Sequence, residues 1–255
     1  MKISIVTLSF NQKRFLNEAL NSVLDQGYQH LEYIVVDPGS TDGSRDVLER
    51  YRSRLAALIL EPDKGAADGL NKGFAIATGE ILAFLNADDR LLPLSLSAVS
   101  EFFQNNPAVD LAFGDGFIID AHGNRKRHIK AHGFTLERYL HAGCSWLQQA
   151  TFFRRSAFQQ SPGFNIANRT CWDGELFAGM VKRGARVGYL NRDLAEFRIH
   201  GTSISGSGAN SSRYREDTRR IFHELLGRRW TPLDEGVRTL YRIEGRLRRI
   251  IAGRR

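Results

Sequence analysis

The sequence predicts an α/β protein organised around a mostly parallel central sheet that is covered by helices. Short segments that are apolar throughout alternate with segments whose apolar residues recur at helical spacing. Clusters of turn-forming polar residues follow the apolar segments. Strands that are apolar on both faces are typical of parallel sheets, because each crossover helix must pack back onto the sheet.

The N-terminal half follows a βαβαβαβ order. Four apolar segments are predicted to be strands: residues 3–8, 33–36, 58–60 and 81–85. A helical face begins at Phe15, a second helix contains Val47 and Leu48, and a third covers residues 66–77 and ends before Gly79. The carboxyl ends of these strands are expected to form one rim, where sheets of this kind bind their ligands.

The C-terminal half is less regular. Strands are predicted at residues 111–113 and 152–153, a helix at 176–181, and a loop over the basic segment from Arg125 to His132. A Ser- and Gly-rich segment, 201–212, precedes a helical tail of residues 213–255. One face of the tail carries an apolar stripe, formed by Leu240, Ile243, Leu247, Ile250 and Ile251.

The composition is that of an ordinary globular protein, with 255 residues, 42% hydrophobic and 25% charged. The net charge is +8, and the tail accounts for most of it, with 13 arginines against six acidic residues. An anionic surface is the partner that such a tail favours. Cys144 and Cys171 form neither a disulfide framework nor a zinc motif, and no stretch is long enough to span a bilayer. We therefore expect a cytoplasmic protein, soluble or peripheral on the inner face of the membrane.

Two polar clusters that follow predicted strands carry most of the chemistry. Asn86, Asp88 and Asp89 come directly after a buried strand, and Asp37 opens a turn that continues to Ser44. Carboxylates at such a place either bind a divalent cation or cap the next helix. The residue pattern alone leaves both interpretations open. The motifs of Rossmann dinucleotide sites and P-loops are absent from the sequence.

These segments resemble the family-2 inverting glycosyltransferases, which have the GT-A nucleotide-sugar fold. The resemblance covers residues 5–11, 22–26 and 36–44, and then 63–65, 71–73, 77–80, 85–89 and Pro93, in the family's order and spacing. It is strong to about residue 115, looser to about 205 and absent in the tail. It implies a glycosyltransferase domain over residues 1–212, with a nucleotide-binding half, 1–115, and an acceptor half, 116–212.

The resemblance also implies roles for individual residues. The uracil, ribose and diphosphate side of the donor would be held by Ser9, Phe10, Asn11, Asp37, Lys64, Asp68, Asn86 and Ala87. Asp88, with His200 of the segment Arg198–Ile199–His200, would bind a divalent metal, Mn²⁺ or Mg²⁺. Asn86 replaces the first carboxylate of the family's D-x-D motif. Asp173 in Asp173–Gly174–Glu175–Leu176 would be the catalytic base, and Trp146, Gln148 and Gln149 lie in the region that faces the acceptor.

The activity that the resemblance implies is transfer of a sugar from a nucleotide-diphosphate donor, with UDP expected, to a hydroxyl of a glycan or lipid-linked acceptor, as in polysaccharide biosynthesis. The alternatives are a sugar-1-phosphate nucleotidyltransferase, for which the segment from Ser9 to Lys13 lacks the glycines, and a non-catalytic protein that binds anions or nucleic acid through the tail. No nucleic acid is expected, because no aromatic and basic platform is evident in the body. The tail helix either packs on the body or a second subunit, or lies on an anionic membrane.

Overall fold

Strands and helices alternate along the chain. The structure is a computed structural model, and it describes residues 1–131, 134–143, 146–201, 203 and 211–252, except for the side chains of residues 211 and 248–252. Cys144, most of the predicted segment 201–212 and the side chains of Ile250 and Ile251 thus lie outside the described part. The strands are β1 (Ile3–Leu8), β2 (Leu31–Val36), β3 (Ala57–Ile59), β4 (Ile81–Asn86), β5 (Arg90–Leu91), β6 (Leu111–Ile119), β7 (Arg125–Ile129), β8 (Thr151–Arg154) and β9 (Val187–Arg198). The α-helices are α1 (Lys13–Leu24), α2 (Ser44–Tyr51), α3 (Ala66–Ile76), α4 (Ser95–Asn105), α5 (Leu136–Ala142), α6 (Arg155–Gln159), α7 (Trp172–Lys182), α8 (Ser211–Leu226) and α9 (Pro232–Ala252).

The strands form one sheet in the order β3-β2-β1-β4-β8-β6-β9-β5, with β7 paired to the outer part of β6. Pairing is parallel among β3, β2, β1 and β4, and again between β6 and β9. Strand β8 is antiparallel to both of its neighbours, so β6 and β9 run in the same direction as β4. The predicted α/β class with a central sheet flanked by helices is confirmed.

Helices cover both faces of the sheet. On one face, Val6, Phe84 and Phe113 lie in a core cluster with residues of α3 and α7. On the other face, Ile5 and Leu85 lie in a second cluster with residues of α1, α2 and α4. Alternate residues of one strand thus enter opposite cores, which explains why these strands are apolar throughout.

Strand β7 corrects one expectation. The basic segment that begins at Arg125 was predicted to be a loop, but its residues 125–129 pair antiparallel with β6. The guanidinium of Arg125 lies 3.9 Å from the ring centre of Phe117 and its Nε is 2.6 Å from Glu196 Oε1. Cross-strand contacts and ladder hydrogen bonds therefore hold a strand whose own residues are mostly exposed.

A buried carboxylate ties the start of the sheet together. Glu32 in β2 accepts hydrogen bonds from the Ser4 hydroxyl at 2.5 Å and from the Thr78 backbone N–H at 2.7 Å, and it pairs with Lys2. Burial alone would raise the pKa of Glu32, but these hydrogen bonds outweigh it and lower the pKa from its ordinary value of 4.5 to about 2. The ionised carboxylate is therefore part of the folded structure.

Glu32 predicts a pH dependence of stability. Its folded-state pKa is depressed, so it contributes stability above the unfolded value, up to about 3 kcal/mol, and that contribution is lost as the pH falls from 4.5 to about 2. Urea unfolding should therefore show Glu32→Gln to be less stable than the wild type at neutral pH. The two proteins should converge at the acid end, and a constant difference across this range would contradict the assignment.

Candidate functional site

The site lies at the rim where five strands that run in one direction end. These strands are β1, β2, β4, β6 and β9. The segments after the first three are joined directly: the Ser9 N–H donates to the Val36 carbonyl at 2.9 Å, and the Ala87 N–H donates to the Leu8 carbonyl at 3.0 Å. The expected convergence of the polar clusters at one rim is confirmed.

The segment after β1 presents both a buried hydroxyl and an exposed ring. Ser9 is buried, and its Oγ has no hydrogen-bond partner among the described residues, whereas Phe10 is 58% exposed. Asn11 has a left-handed backbone, with φ of 53°, and its Oδ1 accepts a hydrogen bond from the Thr41 N–H at 2.9 Å. Since a buried polar group without a partner is costly, the Ser9 hydroxyl suits a ligand that reaches the rim.

Asp37 organises the turn after β2. Its carboxylate is buried and accepts hydrogen bonds from the Ser40 N–H at 2.8 Å, the Ser40 hydroxyl at 2.6 Å and Arg45 Nε at 3.2 Å. Burial alone would raise the pKa of Asp37, but these hydrogen bonds outweigh it and hold the pKa below its ordinary value. Asp37 is therefore ionised, and the turn has a fixed shape.

Lys64 and Asp68 lie at the start of α3. Lys64 is exposed, and its backbone N–H donates to Asp68 Oδ2 at 2.9 Å. The carbonyl of Lys64 accepts a hydrogen bond from Arg169, which belongs to the loop before α7. Gly65 has φ of 117°, and a Cβ there would lie 1.8 Å from Arg169 Nη1. Glycine at this position therefore allows the loop before α7 to contact the segment before α3.

Asp88 and His200 face each other at the rim. Asp88 Oδ2 lies 3.0 Å from His200 Nε2, and both side chains are nearly buried. The ring of His200 also contacts Phe15 of α1, with ring centres 4.8 Å apart. The two side chains contact each other directly, and a carboxylate oxygen and an imidazole nitrogen are both ligand types that divalent cations accept. The two residues proposed from the sequence as metal ligands are thus brought together.

Asp89 follows Asp88 directly, and the resemblance to the family assigns it no role. Its Oδ1 accepts a hydrogen bond from the Arg198 N–H at 2.8 Å, and its Oδ2 accepts hydrogen bonds from the Gln149 amide at 2.7 Å and the Asn86 amide at 3.3 Å. Burial, and then the charge of Asp88, raise the pKa of Asp89 well above its ordinary value. Asn86 therefore supports the rim through Asp89.

Arg198 is the second residue that the sequence analysis left without a role. It is the largest fully buried side chain among the described residues, and its Nε donates to the Asp88 carbonyl at 2.7 Å. Its Nη1 donates to the Asp120 carbonyl at 3.2 Å, and its Nη2 pairs with Glu18 of α1. Arg198 therefore fixes the backbone of Asp88 to the end of β6 and to α1.

Asp173 is the second residue of α7. It is half-buried, and its carboxylate accepts hydrogen bonds from the backbone N–H groups of Gly174 and of Asp173 itself. Burial outweighs these hydrogen bonds and raises the pKa of Asp173 above its ordinary value. A Cβ on Gly174 would lie 2.4 Å from the Tyr139 hydroxyl oxygen, so the glycine lets Tyr139 pack closely beside Asp173.

The loop before α7 connects the helix of Asp173 to α3 and the segment before it. Besides the Arg169 contact, Asn71 of α3 donates its amide to the Phe164 carbonyl at 2.8 Å and accepts a hydrogen bond from the Phe164 N–H at 2.9 Å. The helix itself is held by its buried residues Leu176 and Phe177, which belong to the core cluster of α3 and β4. A carboxylate with a raised pKa is thus held on a rigid helix, as a general base requires.

The three residues assigned to the acceptor region occupy different environments. Trp146 is buried in an aromatic cluster, with its ring centre 4.8 Å from that of Phe113 and 4.9 Å from that of Phe134. Gln148 is half-buried and donates its amide to the Phe84 carbonyl at 2.7 Å. Gln149 is buried against Asp89, as described above. These side chains support the base of the rim.

A second group of ligand-type side chains lies further down the sheet. Ligand atoms of Asp115, His128 and Asp193 all lie within 4.8 Å of one another. Seven residues separate Asp193 from His200, which is about 20 Å of extended chain, so the two groups are separate. His128 Nε2 and Asp193 Oδ1 lie 2.6 Å apart, and the Tyr189 hydroxyl donates a hydrogen bond to Asp115 at 2.9 Å.

Comparison with known proteins decides the family. The sequence pattern described as Glycosyl transferase family 2 matches residues 4–170. This chain is a member of that family. An uncharacterized glycosyltransferase of Nostoc sp. is 31% identical to this chain, over 85% of this chain and 70% of its own length. A glycosyltransferase assigned to teichuronic acid biosynthesis in Bacillus subtilis is 30% identical over 80% of this chain and 82% of its own length.

Solved structures establish the same fold for the glycosyltransferase. TarS of S. aureus, residues 1–349 in complex with UDP-GlcNAc, superposes with a TM-score of 0.74 at 17% identity, over 94% of this chain and 70% of that one. The mannosyltransferase PcManGT of Pyrobaculum calidifontis, in complex with GDP-Man and Mn²⁺, has a TM-score of 0.64 at 19% identity, over 91% of this chain and 66% of that one. The predicted GT-A fold and family are confirmed, and the chain is a glycosyltransferase.

Proposed function

We propose that this glycosyltransferase transfers a sugar from a UDP-sugar to a hydroxyl of a glycan or lipid-linked acceptor, with inversion at the anomeric carbon and a bound divalent metal. The observation that carries the proposal is the pair of Asp88 and His200 at the rim formed by the ends of β1, β2 and β4. Metal-ligand side chains at the edge of a polar rim suit a nucleotide diphosphate.

The relatives support a nucleotide-diphosphate sugar as the donor, and TarS supports UDP. TarS was solved with UDP-GlcNAc, PcManGT with GDP-Man and Mn²⁺, and the Bacillus subtilis relative is assigned to teichuronic acid biosynthesis. For this chain we propose uridine as the base, with Ser9, Phe10 and Asn11 on one side of the nucleotide and Asp37, Lys64 and Asp68 on the other. We propose that the reaction is a step in the synthesis of a polysaccharide or related glycan.

The residues of this chain divide the chemistry between two places. Asp173 takes the proton from the acceptor hydroxyl as the hydroxyl oxygen attacks the anomeric carbon, and one such displacement inverts the configuration. Asp88 and His200 would hold the metal, which supplies positive charge to the departing diphosphate when bound. Arg198 keeps Asp88 in position, because its Nε hydrogen-bonds to the Asp88 carbonyl and its backbone N–H hydrogen-bonds to the carboxylate of Asp89, the next residue.

A thermal-shift screen tests the donor class. The protein is heated with UDP, GDP, dTDP or CDP, each with and without manganese, because a ligand that binds the folded state raises the melting temperature. We expect a manganese-dependent increase with UDP that is larger than with the other nucleotides. A larger shift with another nucleotide would change the proposed base, and no shift with any nucleotide would reject the donor site.

A further inference from the structure

Helix α9 presents its apolar face to solvent. Leu233, Leu240, Ile243 and Leu247 are 83%, 68%, 48% and 54% exposed, respectively. They are spaced by seven, three and four residues, so they form one stripe along the helix. Helices on the surface of a globular protein ordinarily bury such a stripe, and an exposed contiguous apolar surface marks a site of interaction.

Residues next to this stripe attach α9 to the body. Asp234 is buried, and its carboxylate contacts His141 Nε2 at 3.0 Å and Arg228 Nη2 at 2.7 Å. One helical turn or more further on, Arg138 of α5 donates to Glu244 at 2.9 Å and lies over the ring of Tyr241. These contacts fix the orientation of α9, and the four residues of the stripe are exposed in that orientation.

Exposed arginines lie close to the stripe on α9. Arg242 and Arg246 are exposed on α9, and the sequence continues with Arg248 and Arg249. Arginines beside an apolar stripe are the pattern of helices that lie in the headgroup region of anionic bilayers.

Charge decides between two occupants of the stripe. A second copy of this chain would place the arginines of one α9 beside those of the other, and like charges across an interface are unfavourable. An anionic lipid surface offers opposite charge to the same arginines and an apolar phase to the leucines. In the part of the chain that the structure describes, no helix is both long and apolar enough to cross a membrane.

We propose that the outer face of α9 is the surface through which this glycosyltransferase docks onto a bilayer that contains anionic phospholipid. Leu233, Leu240, Ile243 and Leu247 enter the acyl boundary, and Arg242 and Arg246 contact the headgroup phosphates. This surface is separate from the donor site, so docking and nucleotide binding can be measured independently.

Vesicle sedimentation tests the proposal with the full chain. We expect binding to vesicles of phosphatidylglycerol and phosphatidylcholine that weakens with added salt, and little binding to phosphatidylcholine alone. The double variant Leu240→Gln/Leu247→Gln should lower the partition coefficient by about 100-fold, since both leucines lose apolar burial. The variant Arg242→Gln/Arg246→Gln should lower it by about 25-fold, on the basis of the usual contribution of each arginine near such a surface.

Ile76→Gln is the matched control, because Ile76 is 48% exposed at the end of α3, away from the tail. It should bind vesicles as the wild type does. Melting curves and the response to UDP identify variants that fail to fold, since the donor site is intact in all of them. Equal vesicle binding by all variants would overturn the proposal. The proposal would also be overturned if the wild type did not bind vesicles and light scattering showed it to be a dimer that Leu240→Gln/Leu247→Gln converts to a monomer. A second copy of the chain would then be the occupant of the stripe.

Discussion

Replacement of Asp173 by asparagine is expected to lower kcat by about 10² to 10⁴, the usual contribution of a positioned general base. The amide keeps the size of the side chain but cannot accept the proton of the acceptor hydroxyl. The Kd of the donor should remain within about twofold, since the proposed donor contacts come from other residues. Steady-state kinetics combined with a donor-binding titration measures both quantities.

The pH dependence of the same enzyme gives a second test of Asp173. The base works only when it is ionised, and burial raises its pKa above the ordinary value of 3.8. The value of kcat/KM should therefore fall as the pH decreases through a pKa higher than 3.8, and this acid limb should be absent from the residual activity of Asp173→Asn.

A matched control for Asp173→Asn is Asp46→Asn, which makes the same chemical change in the first turn of α2. It should leave kcat unchanged. Asp173→Asn should also melt no lower than the wild type, because a carboxylate with a raised pKa opposes folding when it is ionised. An unchanged turnover in Asp173→Asn would remove this residue from the reaction.

Replacement of Asp88 by alanine is expected to weaken manganese-dependent binding of the donor by at least about 100-fold, since residues that merely support a ligand already contribute 10- to 100-fold. The Asp88 carboxylate is the charged member of the pair with His200, so its loss leaves a single neutral ligand. Calorimetric titration of UDP with and without manganese measures the effect, and the manganese-independent part of binding should persist.

Asp193→Asn separates the two candidate cation sites. Asp193 belongs to the group with Asp115 and His128, which lies about 20 Å along β9 from His200. We expect this variant to bind the donor with the same dependence on manganese as the wild type. If Asp193→Asn loses that dependence and Asp88→Ala retains it, the metal belongs to the lower group and the assignment of Asp88 is wrong.

The fold of the first half is accessible from the sequence because its strands are buried on both faces. Every residue of 3–7 is buried, so the apolar run is continuous and its limits are clear. Strand β9 is different, since eight of its twelve residues are exposed or only partly buried. Strand β7 is mostly exposed, so it lacks the apolar pattern that predicts a strand. Its pairing with β6 is supported by contacts of Arg125 with distant residues, Phe117 and Glu196.

The candidate site, like the fold, is predictable only in part from the sequence. Asp88 and His200 are recognisable because each follows a strand in a segment that resembles the family. The roles of Asp89 and Gln149 are not, since their hydrogen bond joins residues 60 positions apart. Arg198 joins Asp88 to Glu18 across 110 and 180 positions. Contacts of this kind are set by the topology of the sheet and leave no local signal in the sequence.

The antiparallel strand β8 has a mechanical consequence. It hydrogen-bonds to β4 on one side and to β6 on the other, so the strands that lead to Asp88 and the strands that lead to His200 belong to one continuous ladder. Opening a cleft between the two halves would require breaking that ladder. Any movement that admits substrate should therefore occur in the segments at the rim. The strands on the two sides of β8 should unfold together in a single cooperative transition.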